Sequence, residues 1–285
     1  MHRAVLPALL SLLALLAPAV GRAEADTEHM FGFSEGTDIG EPFQPEGEIE
    51  TVGRLGKSQG TYSALATTFN LKYPLATWFR VAPGIAFARY EIAGVPTFDD
   101  VNQFVFDHAQ LEFRWRVLGR ESNPVGLTVV ATPFYGTVDP ATGTPADSFG
   151  VQFIAAVDRE LVPDRLFATV NLVYGLGRTR TRATGLTEDA SQLGLSAAAT
   201  VRLLPWLYLG GDLRYLRNYD GLGLSGLAGQ AVYLGPTFYA TLGKGVSLSG
   251  AWEPQVWGQS PDTPSSLDLV TFERHQFKVR LSVDL

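Results

Sequence analysis

Along most of this chain apolar and polar side chains alternate one for one, the pattern of strands with one oily face and one wet face. The closing stretch "FERHQFKVRLSVDL" shows it: Arg274, Gln276, Lys278, Arg280 and Ser282 share one face, and Phe277, Val279, Leu281, Val283 and Leu285 the other. The same reading predicts twelve strands, over Glu48–Gly56, Thr61–Tyr73, Thr77–Ile92, Asn102–Leu118, Val125–Val138, Asp147–Asp158, Leu166–Arg178, Ala190–Leu203, Trp206–Tyr219, Gly226–Leu242, Val246–Gly258 and Leu267–Asp284.

The connections alternate in length. "YPLA", "GRESNP", "RELVPDR", "LP" and "GKG" are short, whereas "AGVPTFDDV", "DPATGTPA", "TRTRATGLTED", "DGLGLSG" and "QSPDTPSS" are longer, with "KSQG" the one brief member of that set. Turns sorted by length onto two sides are how membrane-spanning barrels are built, and a soluble sandwich has no reason to sort them. The oily faces gather aromatics at both ends, with Tyr73, Phe79 and Trp115 toward the short turns and Tyr135, Tyr174, Tyr215 and Trp257 toward the longer loops. Two aromatic girdles flanking an apolar band are the expected result. The fold class is therefore all-β, a transmembrane antiparallel up-and-down β-barrel of about twelve strands.

The first residues alter the picture at one end. His2 and Arg3 precede the apolar run "AVLPALLSLLALLAPAV", and the small-residue stretch "GRAEA" follows, so residues 1–25 read as a secretory signal peptide cleaved near Glu24 or Asp26. Beyond it no segment offers the roughly eighteen unbroken apolar residues of a membrane helix, so an integral protein must span as a closed barrel. With no cysteine, disulfides, thiolate metal sites, cysteine nucleophiles and lipoprotein anchors are excluded. Residues 26–47 read as an acidic periplasmic arm and 48–285 as the barrel. Between Asp26 and Glu50 stand eight acids and no lysine or arginine. The plainer reading of the arm is a mobile leader; the sharper one is a small plug or partner-binding peptide anchored by Met30, Phe31 and Phe33.

The wet faces carry the candidate chemistry. Arg54, Arg80, His108, Glu112, Arg114, Arg116, Asp212, Arg214, Glu253, Arg274, Lys278 and Arg280 are expected to line the interior, with bases in excess of acids. In a water-filled lumen that excess favours anions; in a closed one the same side chains pair with each other. His29 falls in the arm and reads as solvated, and His108 as a hydrogen-bonded lumen residue. His275 shares the outward parity with Glu273 near the outer rim, where a lipid-acting base would sit, yet "GLSGL" and "SLSGA" lack the nucleophile-elbow form. Dispersed histidines exclude an obvious metal site, and "GLGLSG" lacks the spacing of a dinucleotide loop. The basic loop "GRTRTRATG" reads as solvated or as a contact for lipopolysaccharide phosphates rather than nucleic acid.

Taken together, the signal peptide, the alternating strands, the two sets of connections and "HQFKVRLSVDL" resemble a Gram-negative outer-membrane β-barrel protein, and "FGFSEGTDIGE" and "FERHQ" resemble uncharacterised proteobacterial barrels. Such barrels commonly end in an aromatic residue, and this chain has Leu285 there. The resemblance implies residence in the outer membrane, contact with its lipid and lipopolysaccharide, and insertion by the barrel assembly machinery. The function expected is a passive channel for small anionic or polar solutes, with no enzyme activity and no cofactor. The alternatives are a closed barrel that binds partners through its loops or arm, and a lipid-acting hydrolase using His275.

Overall fold

The structure, a computed structural model, describes residues 27–261 and 265–285, so the signal peptide expected over residues 1–25 lies outside the described residues. Twelve strands follow one another: β1 (Glu46–Leu55), β2 (Thr61–Ala76), β3 (Phe79–Ala93), β4 (Val101–Leu118), β5 (Gly126–Val138), β6 (Pro145–Val162), β7 (Leu166–Thr181), β8 (Thr187–Leu204), β9 (Leu207–Asp220), β10 (Leu227–Gly243), β11 (Val246–Gln259) and β12 (His275–Asp284). Each pairs antiparallel with its neighbours in sequence, and β12 pairs with β1, from Glu46 opposite Asp284 to Leu55 opposite His275, which closes the barrel. Closure leaves no strand edge unpaired, the condition for backbone to cross hydrocarbon.

The outer surface is the apolar band that alternation predicts. Phe69, Leu111, Phe153, Leu172, Leu195 and Leu213 all stand exposed on it, an area no water-facing surface would carry. At the short-turn rim Phe79 stacks on Trp115 at 5.4 Å between ring centres, with Trp78 and Phe113 beside them. The longer connections share the opposite rim.

Two local departures have clear causes. The last strand was expected from Leu267 and begins at His275 instead. Asp268 accepts the amides of Val270 (3.2 Å) and Thr271 (3.0 Å), an Asx turn that competes with strand pairing, and Gln255 donates to the carbonyls of Asp268 and Glu273, drawing the segment in over the mouth. Between β10 and β11 the ladder lapses from Leu234 to Pro236, because Pro236 and Pro254 bring no N–H. Gly235 lies so close to β11 there that a Cβ would sit 1.8 Å from the carbonyl oxygen of Trp252.

The acidic segment is not a mobile periplasmic leader. Residues 27–45 turn back from the start of β1 into the lumen, and Thr27, Glu28, His29, Met30, Phe31 and Ser34 are all buried. The boundary between arm and wall moves by two residues: β1 starts at Glu46 rather than Glu48, so Glu46 and Gly47 belong to the barrel. The segment folds tightly on itself, and at Gly36 a Cβ would come within 2.2 Å of the Thr27 carbonyl oxygen.

Two substitutions test these close approaches. Gly235→Ala must push β10 and β11 apart and is expected to lower stability by about 1–3 kcal/mol, read from guanidinium unfolding of the lipid-reconstituted barrel; an unchanged midpoint would contradict the contact. Gly36→Val is expected to leave the barrel intact and unseat the arm, so that amide exchange at Ser34 and Thr37 quickens about tenfold per 1.4 kcal/mol of seating lost.

Candidate functional site

Inward parity brings the lumen charges together, and the arm completes them. Arg80 on β3 and Arg114 on β4 stand directly opposite each other and are buried to the last few percent. Glu28 of the arm lies against both. Its carboxylate takes the Arg80 fork at 2.5 and 2.7 Å, Lys72 Nζ at 3.1 Å and Arg114 at 3.4 Å. Glu35 accepts from Arg114 Nη1 at 2.7 Å, and the other Arg114 nitrogen donates to the Gly36 carbonyl at 2.7 Å. Arg80 also reaches Glu112 on its own wall at 2.6 Å. Such forked, desolvated pairs are strong because neither partner has water to fall back on.

Two wall aspartates seat the arm. Asp212 on β9 accepts the amides of Phe33 (2.9 Å) and Ser34 (2.8 Å) and the Ser34 hydroxyl (2.7 Å), while Ser34 also meets the Ser196 hydroxyl at 2.7 Å. Asp158 on β6 accepts the amide of Thr37 at 3.0 Å and its hydroxyl at 2.7 Å, the Thr27 hydroxyl at 2.7 Å, and Arg120 at 2.8 Å. Asn171 and Thr128 hold the Glu35 amide and the Thr37 carbonyl. Apolar contacts do the rest: Met30 and Phe31 pack among Phe167, Ala198, Tyr208 and Tyr239, and the Phe33 ring lies 3.6 Å under the Arg214 guanidinium.

A second cluster surrounds His29, which is buried rather than solvated as its place in the arm suggested. Arg280 donates to its Nδ1 at 2.6 Å, and its Nε2 faces Lys72 at 2.9 Å and Glu46 at 3.2 Å. Arg280 also forks onto Glu50, at 2.5 and 2.8 Å, and Lys278 reaches the same carboxylate at 3.3 Å. His29, Glu46 and Glu48 bring ligand atoms within 4.8 Å of one another, the donor set of a small metal site. A cation already stands among them: Lys72 Nζ is 3.2 Å from Glu46 and 2.5 Å from Glu48. The donors fit an ammonium, and a metal would have to displace it.

The remaining predicted residues divide. Arg214 pairs with Glu253 at 2.7 Å and Gln276 at 2.8 Å inside the barrel. His108 lies beside Gln110 at 3.3 Å and Asp107 at 3.2 Å. Arg54 is at the outer mouth, donating to the Pro140 carbonyl, and Arg116 is at the short-turn rim, bonded to the Thr77 carbonyl at 2.9 Å. Arg274 does not line the lumen: it precedes β12 and is exposed, because Glu273 takes the inward place. A bend at Arg274 separates Glu273 from His275. His275 stacks on Trp252 of the outer face at 5.7 Å, while Glu273 faces Lys57 at 3.5 Å.

Lys57 ties the outer loops together, donating to the carbonyls of Val270, Thr271 and Phe272 at 3.1 to 3.3 Å. Burial pulls its ammonium below the usual lysine range despite Glu273. Burial alone would raise the Glu273 carboxyl, but Lys57 and Arg54 outweigh it and hold it below the usual range.

The arm thus divides the lumen. Toward the outside lies a cavity of about 660 Å³ bordered by Phe33, Glu35, Arg54, Arg214, Lys278 and Arg280. Toward the short turns lies one of about 280 Å³ bordered by Asp38, Glu41, Lys72, Arg80, Arg116 and Arg120. Sequence reasoning missed Lys72, the place of Glu46 in the wall, the inward charges of Glu48 and Glu50, and the hydroxyl anchors Thr27, Ser34 and Thr37. The one signal pointing to them was complementary charge, an arm of acids without bases preceding strands whose inward faces favour bases.

Comparison with known proteins supports the architecture. The chain is similar to an outer-membrane channel from Pseudomonas putida F1, with a TM-score of 0.60 at 13% identity over 87% of this chain and 98% of that one. It is similar to the β domain of the Bordetella autotransporter BrkA (TM-score 0.54, 15% identity, 86% and 100% covered) and to the NanC porin (TM-score 0.52, 6% identity, 84% and 100% covered). At these identities the likeness is one of fold, that of Gram-negative outer-membrane β-barrels. No curated protein matches the chain. The model of a family of unknown function, DUF6662, matches residues 23–285, and the chain belongs to that family.

Proposed function

We propose that this protein is a passive outer-membrane channel for small polar or anionic solutes, held shut in the state described by its own N-terminal segment. The observation that carries the reading is Arg114: this buried wall arginine finds its hydrogen-bond and ion-pair partners, Glu28, Glu35 and Gly36, in the arm. The lumen is closed by the segment that leads into β1 rather than by side chains of the wall meeting across it. A barrel filled by its own wall would have no need of a separate occupant. The outer cavity gives a solute a way in as far as Phe33, and the inner cavity a way out beyond Asp38. Two of the similar structures are a channel and a porin, which agrees with the reading.

The second reading, a permanently closed barrel that works through its loops, draws on the same dense ion pairing. Catalysis loses its support, since Glu273 and His275 face opposite ways and Glu273 cannot orient the imidazole. In the channel reading the exposed basic loop is a lipopolysaccharide contact; Arg178 already pairs with Asp189 at 2.6 Å and Arg182 with Asp147 at 2.7 Å, so its contribution there is modest.

A reversible lock separates the readings. The chain has no cysteine, and the Ser34 and Ser196 hydroxyls are 2.7 Å apart, so Ser34→Cys with Ser196→Cys is placed to form one disulfide between arm and wall. In a planar bilayer the oxidised protein is expected to be silent and the reduced protein to conduct in steps. Equal current in both states would remove the arm as the gate. Silence in both, from a protein shown to be folded, would favour the closed barrel.

A further inference from the structure

We infer that the open channel carries a dicarboxylate-binding site built from Lys72, Arg80 and Arg114, and that Glu28 and Glu35 occupy it in the closed state as a tethered stand-in for the solute. This rests on the channel reading above and adds to it the class of solute. The three bases come from consecutive strands at neighbouring heights. Arg80 stands directly opposite Arg114, and on its other side faces Pro74, two residues from Lys72. Like charges directly across a ladder repel, and burial makes the repulsion worse unless an anion lies among them.

The wall alone does not supply that anion in full. Glu112 reaches Arg80, and Glu46 and Glu48 reach Lys72, but among the described residues no wall carboxylate bonds to Arg114. When the arm leaves, Arg114 loses both its ion-pair partners, and Arg80 loses its forked partner. An anion entering from outside is therefore held most tightly at this point. Two features of the stand-in define the class. Glu28 and Glu35 both meet the same atom, Arg114 Nη1, at 3.4 and 2.7 Å, so two carboxylates converge there. A solute with two carboxylates a few bonds apart reproduces that arrangement, a monocarboxylate half of it, and a neutral solute none. Glu35 also borders the outer cavity with Lys278 and Arg280, so an arriving dicarboxylate meets the Glu35 end first. By displacing it, the solute opens its own path.

The test uses the full chain in lipid, with succinate as the probe. A Glu-specific protease cuts at Glu35–Gly36 only when the arm leaves the lumen, and mass spectrometry follows the cut. Sodium chloride and sodium acetate at matched ionic strength serve as controls, because salt alone screens ion pairs. Succinate at ten times its dissociation constant is expected to speed cleavage about tenfold. No acceleration, or equal acceleration by chloride or acetate, overturns the site. Arg114→Met is expected to be cut quickly without succinate and to ignore it; a wild-type response there overturns the assignment. Should that variant not fold, Glu35→Gln, followed at Glu28–His29, is expected to need less succinate for half-maximal cleavage, and an unchanged requirement counts against the proposal. Failure here and failure of the channel reading look different: current from the reduced Ser34→Cys, Ser196→Cys protein with no succinate effect removes the site and keeps the channel. Succinate-dependent cleavage without current does the reverse.

Discussion

Backbone amides that cross hydrocarbon have no water to turn to, and the pairing of β12 with β1 is what lets this chain meet that constraint. Everything inside follows from it. Closure sets the register of each strand against two neighbours, and register sets which side chains point inward. On β4 it sends Phe113 and Trp115 to the lipid and Glu112 and Arg114 to the interior; on β12 it sends Phe277 and Val279 out and Lys278 and Arg280 in. A barrel cannot keep the oily belt it needs outside without committing the intervening polar side chains to the lumen.

Those lumen residues then face a second demand. Guanidinium and carboxylate groups lose much of their hydration inside a narrow barrel, and each must find a partner there. The wall does this for Arg214 with Glu253 and for Arg280 with Glu50. It does not do so for Arg114, and the arm makes up the deficit with side-chain carboxylates and one backbone carbonyl. The traffic also runs the other way, since Asp158 and Asp212 are satisfied by amides and hydroxyls of the arm. Arm and wall are complementary in both donors and acceptors, which makes the seat specific rather than merely sticky.

How far this was legible depends on whether the governing interactions are local. Strands are announced by period-two alternation, so eleven of the twelve were placed within a few residues; the twelfth began late because Asp268 captured the amides after it, a side-chain effect that hydrophobic pattern does not carry. Facing was legible where the ladder is regular, as at Arg80, Arg114 and Arg280, and failed at Arg274 and Glu273, just before regular pairing resumes. The arm has no periodicity, and its partners stand far along the chain: Ser34 binds Asp212 and Thr37 binds Asp158. Nothing in a local window links such pairs. Only the segregation of charge did so, and it points to an association without giving its geometry.

The origin of those partners has a consequence for assembly. The arm is made first, yet its seat is drawn from strands on every side of the finished barrel, down to Arg280 on the last of them. Loop-closing contacts of that span are slow to form and cannot be made before the strands that supply them. The arm therefore cannot be fully seated until the final strand has joined the first. Its acids, unmixed with any lysine or arginine, keep soluble a segment that also carries Met30, Phe31, Phe33, Ile39 and Phe43. Seating it is then the last event of folding, and an arm at rest in the lumen reports that the wall around it is complete.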